Sequence, residues 1–123
     1  MIYPINPALM ELLVLSFILQ EDSYGYKIGQ QLKKVSNLKD SALYPVLRRL
    51  SENHYVDVYD RQFQGRNRKY YKITEAGKQE QAKLEKEWHE FTATLEEILL
   101  QCQQAEGRED DEERVYGATQ SQA

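Results

Sequence analysis

Ser41-Ala42-Leu43-Tyr44-Pro45 with Leu47-Arg48-Arg49-Leu50 close behind, and then Gly65-Arg66-Asn67-Arg68-Lys69-Tyr70-Tyr71-Lys72-Ile73-Thr74-Glu75-Ala76-Gly77, decide how this chain folds. The first stretch reads as a helix over about residues 40–53. Leu43, Leu47 and Leu50 are spaced four and then three residues apart, which lines them on one face. Ser41, Tyr44 and Arg48 share the opposite face. Pro45 is expected near the helix start, where a missing N–H costs least. In the second stretch, residues 69–73 alternate as a strand, and residues 55–60 alternate as its partner. Residues 62–68, with Gly65 allowing close approach to a backbone, then form a basic wing between them. A helix followed by an arginine-tipped hairpin is the outline of a winged helix-turn-helix, a fold that places one helix in the DNA major groove.

Working outward, Asn6-Pro7 is a helix start: asparagine caps, and proline suits the first helical position. The helix behind it is apolar nearly all round, whereas a surface helix needs only one apolar stripe. It therefore requires cover on two sides, and Glu11 is its single charge. Gln20-Glu21-Asp22-Ser23 ends it, and a second helix is expected over residues 24–35 with Ile28, Leu32 and Val35 inward. His54 follows the third helix at a position that favours glycine, so it must take a left-handed conformation or shift the turn.

From residue 74 to about 103 the chain reads as one long helix. Leu84, Trp88, Phe91, Leu95, Ile98 and Cys102 step alternately by four and three, which is a coiled-coil seam. The fold class expected is mainly α with a small β-hairpin wing (α+β). Residues 1–73 make the winged helix-turn-helix, residues 74–104 a dimerisation helix, and residues 105–123 an acidic disordered tail.

The net charge of −4 over 123 residues hides a strong asymmetry. Between residues 23 and 72 there are eleven Lys/Arg against four Asp/Glu, a local charge of +7, and every other segment is acidic. Local field, not the average, meets phosphate. The apolar run of the first helix is too short to cross a bilayer. No secretory signal precedes it, so a cytoplasmic protein is expected. Cys102 is the one cysteine, which leaves no internal disulfide, and His54 and His89 have no cysteine or carboxylate cluster near them in sequence, so no metal site is read. No phosphate-binding glycine loop or nucleophile elbow points to an enzyme, and no catalytic residue or cofactor is expected.

Leu-Tyr-Pro at residues 43–45, Arg-Lys-Tyr-Tyr at 68–71 and Thr-Glu-Ala-Gly at 74–77 closely resemble the PadR family of bacterial transcriptional regulators, over about residues 6–102. The resemblance implies a ligand-responsive repressor that binds double-stranded DNA as a homodimer. Its DNA contacts would fall on Tyr24, Tyr26, Lys27, Lys39, Ser41, Tyr44, Arg48, Arg66, Arg68 and Lys69, and its dimer interface on Leu84, Trp88, Phe91, Leu95 and Ile98. Some small PadR-like repressors carry a tryptophan at the place of Trp88, eleven residues after Gly77, where two indoles sandwich a flat drug across a pore. A small planar aromatic or phenolic effector would then be lined by Ala8, Glu11, Leu12, Trp88 and Thr92. The ordinary alternative for Trp88 is a packing anchor in the seam. The rival for the whole chain is a winged-helix protein–protein adaptor without DNA binding, and a phenolic-acid carrier is a more distant third.

Overall fold

The computed structural model describes residues 5–109, with side chains described as far as residue 104. The described residues divide into two compact units, the first ending at Glu87 and the second beginning at Trp88. Helix α1 spans Pro7–Gln20, strand β1 Ser23–Tyr24, helix α2 Gly25–Leu32 and helix α3 Asp40–Glu52. Strands β2, Val56–Phe63, and β3, Arg66–Ile73, follow, and helix α4 covers Glu75–Glu109.

Helix α1 begins as its sequence dictates. Pro7 is its first residue, and the Asn6 side chain accepts a hydrogen bond from the Leu9 N–H at 2.8 Å. Its buried side chains Met10, Val14, Leu15 and Ile18 join Ile28 and Leu32 of α2 and Leu43, Val46, Leu47 and Leu50 of α3. Val56 and Tyr71 close this core from the sheet. Leu84 packs against the same core, so the seam's expected first residue serves its own domain.

The sheet has three strands in the order β1-β3-β2, one more than the expected hairpin. Ser23 and Tyr24 pair with Tyr71 and Tyr70 instead of opening the second helix. Helix α2 also stops at Leu32, three residues before the expected end. The wing is strand almost to its tip. Phe63 pairs with Arg66, which leaves only Gln64 and Gly65 as the turn, at φ of 52° and 78°. Two central residues with positive φ make the twisted two-residue turn that suits a right-handed hairpin. Pro45 lies six residues into α3, not in its first turn, and so removes one internal helix hydrogen bond on an exposed face.

The end of α3 and the start of α4 are built against each other. His54 has φ 62°, its N–H reaches the Ser51 carbonyl at 3.0 Å and the Tyr55 N–H reaches that of Leu50 at 2.9 Å. That pair of bonds is a Schellman cap with histidine in the left-handed place. Thr74 then donates its hydroxyl to the His54 carbonyl at 2.7 Å and accepts from the Gly77 N–H at 3.0 Å, capping α4. A Cβ on Gly77 would lie 2.0 Å from the Tyr55 carbonyl oxygen, so no other residue lets the chain pass there. The Thr-Glu-Ala-Gly junction is this contact written in sequence.

Helix α4 continues to Glu109, five residues beyond the expected limit of 104. The remainder of the expected acidic tail, residues 110–123, lies outside the described residues. In the second unit, Trp88, Phe91, Leu95, Ile98, Leu99 and Leu100 are all exposed. The Trp88 and Phe91 rings touch at a centroid distance of 6.2 Å.

Candidate nucleic-acid interface

Helix α3 sorts its residues cleanly. Leu43, Val46, Leu47 and Leu50 are buried, and Ser41, Tyr44 and Arg48 are exposed. Arg48 enters no ion pair among the described residues, so its guanidinium is available to an outside acceptor. Lys39 precedes the helix as its N-cap residue and is exposed, while Asp40 is held by Lys33 at 3.2 Å.

Between α3, the start of α2 and the wing runs a groove of about 670 Å³. It is lined by Tyr24, Gly25, Tyr26, Tyr44, Arg66, Asn67, Arg68, Lys69 and Tyr71. Six of these had been expected from sequence as DNA contacts, and the fold brings all six together. Gly25, Asn67 and Tyr71 had not. Gly25 matters because a Cβ there would meet the Tyr44 hydroxyl at 3.0 Å and its ring at 3.1 Å. Glycine thus lets the half-exposed Tyr44 lie against the start of α2. Burial, and secondarily the neighbouring Tyr44, push the Tyr71 phenol above its ordinary pKa, so it stays neutral at physiological pH.

The wing's cations do not share one face. Arg66 and Arg68 lie on the face that carries Tyr70, and Lys69 and Asn67 lie on the other. Because β1 pairs only with Tyr70 and Tyr71, the β3 edge from Arg66 to Lys69 has no strand beside it and borders the groove. Arg68 is not a free arm. Its guanidinium carbon stands 4.0 Å from the Tyr24 ring centroid and 3.9 Å from that of Phe63. Arg61, which is not among the contacts expected from sequence, pairs directly opposite Arg68 and lies 4.9 Å over Tyr70.

Two expected contacts are already occupied. Lys27 is bound to Glu21 at 2.7 Å, and this hydrogen bond and charge raise its pKa above the usual lysine value. Glu11 is largely buried and receives both Nη2 and Nε of Arg49, at 2.6 and 2.7 Å. The carboxylate expected to attract a cationic effector therefore holds α1 to α3. Leu12 is buried and Ala8 is exposed in the first turn of α1. In the second unit, Trp88 is 37% exposed, and the Thr92 hydroxyl is turned back onto the Trp88 carbonyl at 3.1 Å. No cluster of metal-ligating side chains occurs among the described residues, and no helix among them is long and apolar enough to cross a membrane.

The comparisons agree with this geometry. The family model of the PadR-like transcriptional regulators matches residues 14–83. An uncharacterised protein of Lysinibacillus sphaericus is 36% identical over 96 residues, covering 71% of this chain and 84% of that protein. The crystal structure of smu.1704 from Streptococcus mutans is 39% identical with a TM-score of 0.76, over 79% of this chain and 92% of that one. A PadR family transcription regulator from Clostridium difficile is 29% identical at a TM-score of 0.68, over 73% and 97%. The PadR-like regulator of Bacillus cereus is 26% identical, also at 0.68, over 74% and 91%. The exposed polar face of α3, the basic groove beside it and the matched 14–83 segment make one statement: this chain belongs to the PadR-like family of DNA-binding transcriptional regulators.

Proposed function

We propose that the protein is a homodimeric repressor that reads a pseudo-palindromic operator. Two α3 helices enter successive major grooves, and a flat aromatic effector held at Trp88 and its dimer mate sets their separation. The observation that carries the reading is the groove joining Tyr44 to Arg66 and Lys69 beside the exposed face of α3. In it, side chains suited to base edges stand next to side chains suited to phosphate. Ser41, Tyr44 and Arg48 read, Arg66 and Lys69 follow the backbone, and Lys39 adds charge at the helix start.

Selection of bound duplexes from random sequence, followed by titration, tests this. Half-sites should be spaced about one helical turn (~10 base pairs) or a multiple apart. Arg48→Ala should cost about 1–3 kcal/mol and relax preference at one position of each half-site. Arg66→Ala and Lys69→Ala should weaken all sequences alike and each shallow the salt slope by about 1. Unchanged affinity in an Arg48/Arg66/Lys69 triple variant would overturn the reading and favour the adaptor. The effector is tested separately, since Trp88 is the sole indole. Planar dyes and phenolic acids should quench its fluorescence saturably and weaken operator binding in proportion to their preference for one state. If no such compound quenches it, and Trp88→Phe changes only dimer stability, Trp88 is a packing residue.

A further inference from the structure

We propose that Arg68 is a positioning residue, which holds the wing in place by standing between two rings and so fixes where Arg66 and Lys69 point. It does not itself bind a phosphate. The proposal rests on the DNA-binding reading above. Its starting point is the row of rings that runs along one face of the wing. Arg68 has Tyr24 on one side at 4.0 Å and Phe63 on the other at 3.9 Å. Tyr24 in turn packs on Tyr70 at 5.3 Å, and Tyr70 on Tyr59 at 5.7 Å. The Tyr59 hydroxyl donates to Asp22 at 2.6 Å, which anchors the far end of the row to the turn after α1.

The members are drawn from all three strands: Phe63 and Tyr59 from β2, Arg68 and Tyr70 from β3, and Tyr24 from β1. The outer wing has no β1 residue to pair with, because β1 is only two residues long. Arg68 supplies the missing cross-tie, reaching from the outer hairpin to Tyr24. A guanidinium suits this place because it is planar and stacks on both faces, which an ammonium cannot do. The register adds an electrostatic reason. Arg61 and Arg68 are directly opposite one another, an arrangement that costs energy when two like charges lie side by side. Neither has a carboxylate partner among the described residues, and both are placed over aromatic rings instead. Arg68 is half-buried where Arg66 and Lys69 are exposed, so it presents less of its fork to a phosphate than they do. Its contribution to binding is a wing already ordered before DNA arrives.

The test compares variants that keep charge with variants that keep stacking, using the full chain and a selected duplex. Arg68→Lys keeps the charge and loses the stack. Affinity should fall by about five- to thirtyfold, with the salt slope unchanged. Phe63→Leu, which removes no charge, should reproduce that loss, and Phe63→Tyr should restore it. In the free proteins, amide exchange at Gln64, Gly65, Arg66 and Asn67 should quicken in Arg68→Lys and Phe63→Leu while the thermal melt of the domain stays put. Wild-type affinity in Arg68→Lys, together with a shallower salt slope in Arg68→Met, would overturn the proposal and make Arg68 a phosphate contact. Unchanged exchange at the wing tip would overturn it independently of DNA. If wild-type protein bound no duplex at low salt, the regulator reading would fail, while the exchange measurement would still decide the clamp.

Discussion

Residues 5–87 and residues 88–104 treat their apolar side chains in opposite ways. In the first unit Val14, Leu15, Ile18, Ile28, Leu32, Leu47, Leu50 and Val56 are almost wholly buried, and the exposed Leu19, Tyr26, Val35, Tyr44, Val58 and Phe63 are scattered over several elements. In the second, Trp88, Phe91, Leu95, Ile98, Leu99 and Leu100 are between 37% and 57% exposed on one helix. The first satisfies its hydrophobic requirement within one chain, whereas the second holds a run of apolar residues that one helix cannot bury by itself. The family match divides at nearly the same place, since it covers residues 14–83 and stops before Trp88. Reading DNA is thus a property of a self-contained fold. The exposed apolar run of the second unit is the surface that the dimer proposed above would cover.

The sharpest way to break that contrast is to charge the second unit and leave the first alone. Leu95→Lys with Ile98→Lys puts four ammonium groups into the proposed two-chain interface. Each lost apolar side chain forfeits about 1.5–3 kcal/mol, so the assembly should lose on the order of 6 kcal/mol or more. Sedimentation at micromolar concentration should change from twice the chain mass to the chain mass, with operator affinity lost. A variant that remains dimeric would mean that the second unit is not what holds the copies together.

The next largest effect attacks the first unit at its tightest point. Gly77→Ala places a methyl 2.0 Å from the Tyr55 carbonyl oxygen and 2.8 Å from the Ile73 side chain. A backbone oxygen cannot swing aside as a lysine tip would, so α4 must shift against the end of α3. A loss of about 3 kcal/mol is expected, at the upper end for overpacking. Urea titration should show a lower midpoint at unchanged slope. A midpoint within experimental error of wild type would mean that the junction is slack.

How far the sequence announced all this depends on whether a contact is local. Asn6, Pro7 and the leucines of α3 act within a turn or two of themselves, and their spacing disclosed them. The Thr74 cap and Gly77 were visible as a motif, although what Gly77 avoids, a carbonyl 22 residues earlier, was not. Strand β1 has two residues and no alternation to read, and it exists only because β3 lies beside it. The outer wing resembled a loop because neither of its faces is buried, so period-two burial never appears in residues 61–69. Glu11 and Arg49 are 38 residues apart, and nothing in either neighbourhood points to the other. The same holds for Arg68: its charge was plain, but its two rings come from β1 and β2, and only the folded sheet brings them together.

The smallest effect sharpens the comparison from the stable side. His54 closes α3 at φ 62°, a conformation in which a Cβ crowds the backbone and which glycine adopts freely. The position is set by backbone bonds alone. The N–H groups of His54 and Tyr55 cap the helix, and the His54 carbonyl accepts from Thr74. The imidazole is exposed and contributes none of these. His54→Gly therefore keeps every hydrogen bond and removes the strain, although glycine also gives the unfolded chain more freedom to lose. The net expectation is a gain of about 0.5–1 kcal/mol, read as a higher urea midpoint at unchanged slope. Asn should fall between His and Gly because it tolerates the left-handed region, and His54→Val should fall below wild type because a β-branched side chain does not. The series Gly, Asn, His, Val in descending stability is the signature of backbone strain at one residue. Equal stability for Gly and Val would show instead that the turn relaxes at no cost. The first unit would then tolerate at residue 54 the slack that its core and its Gly77 contact do not allow.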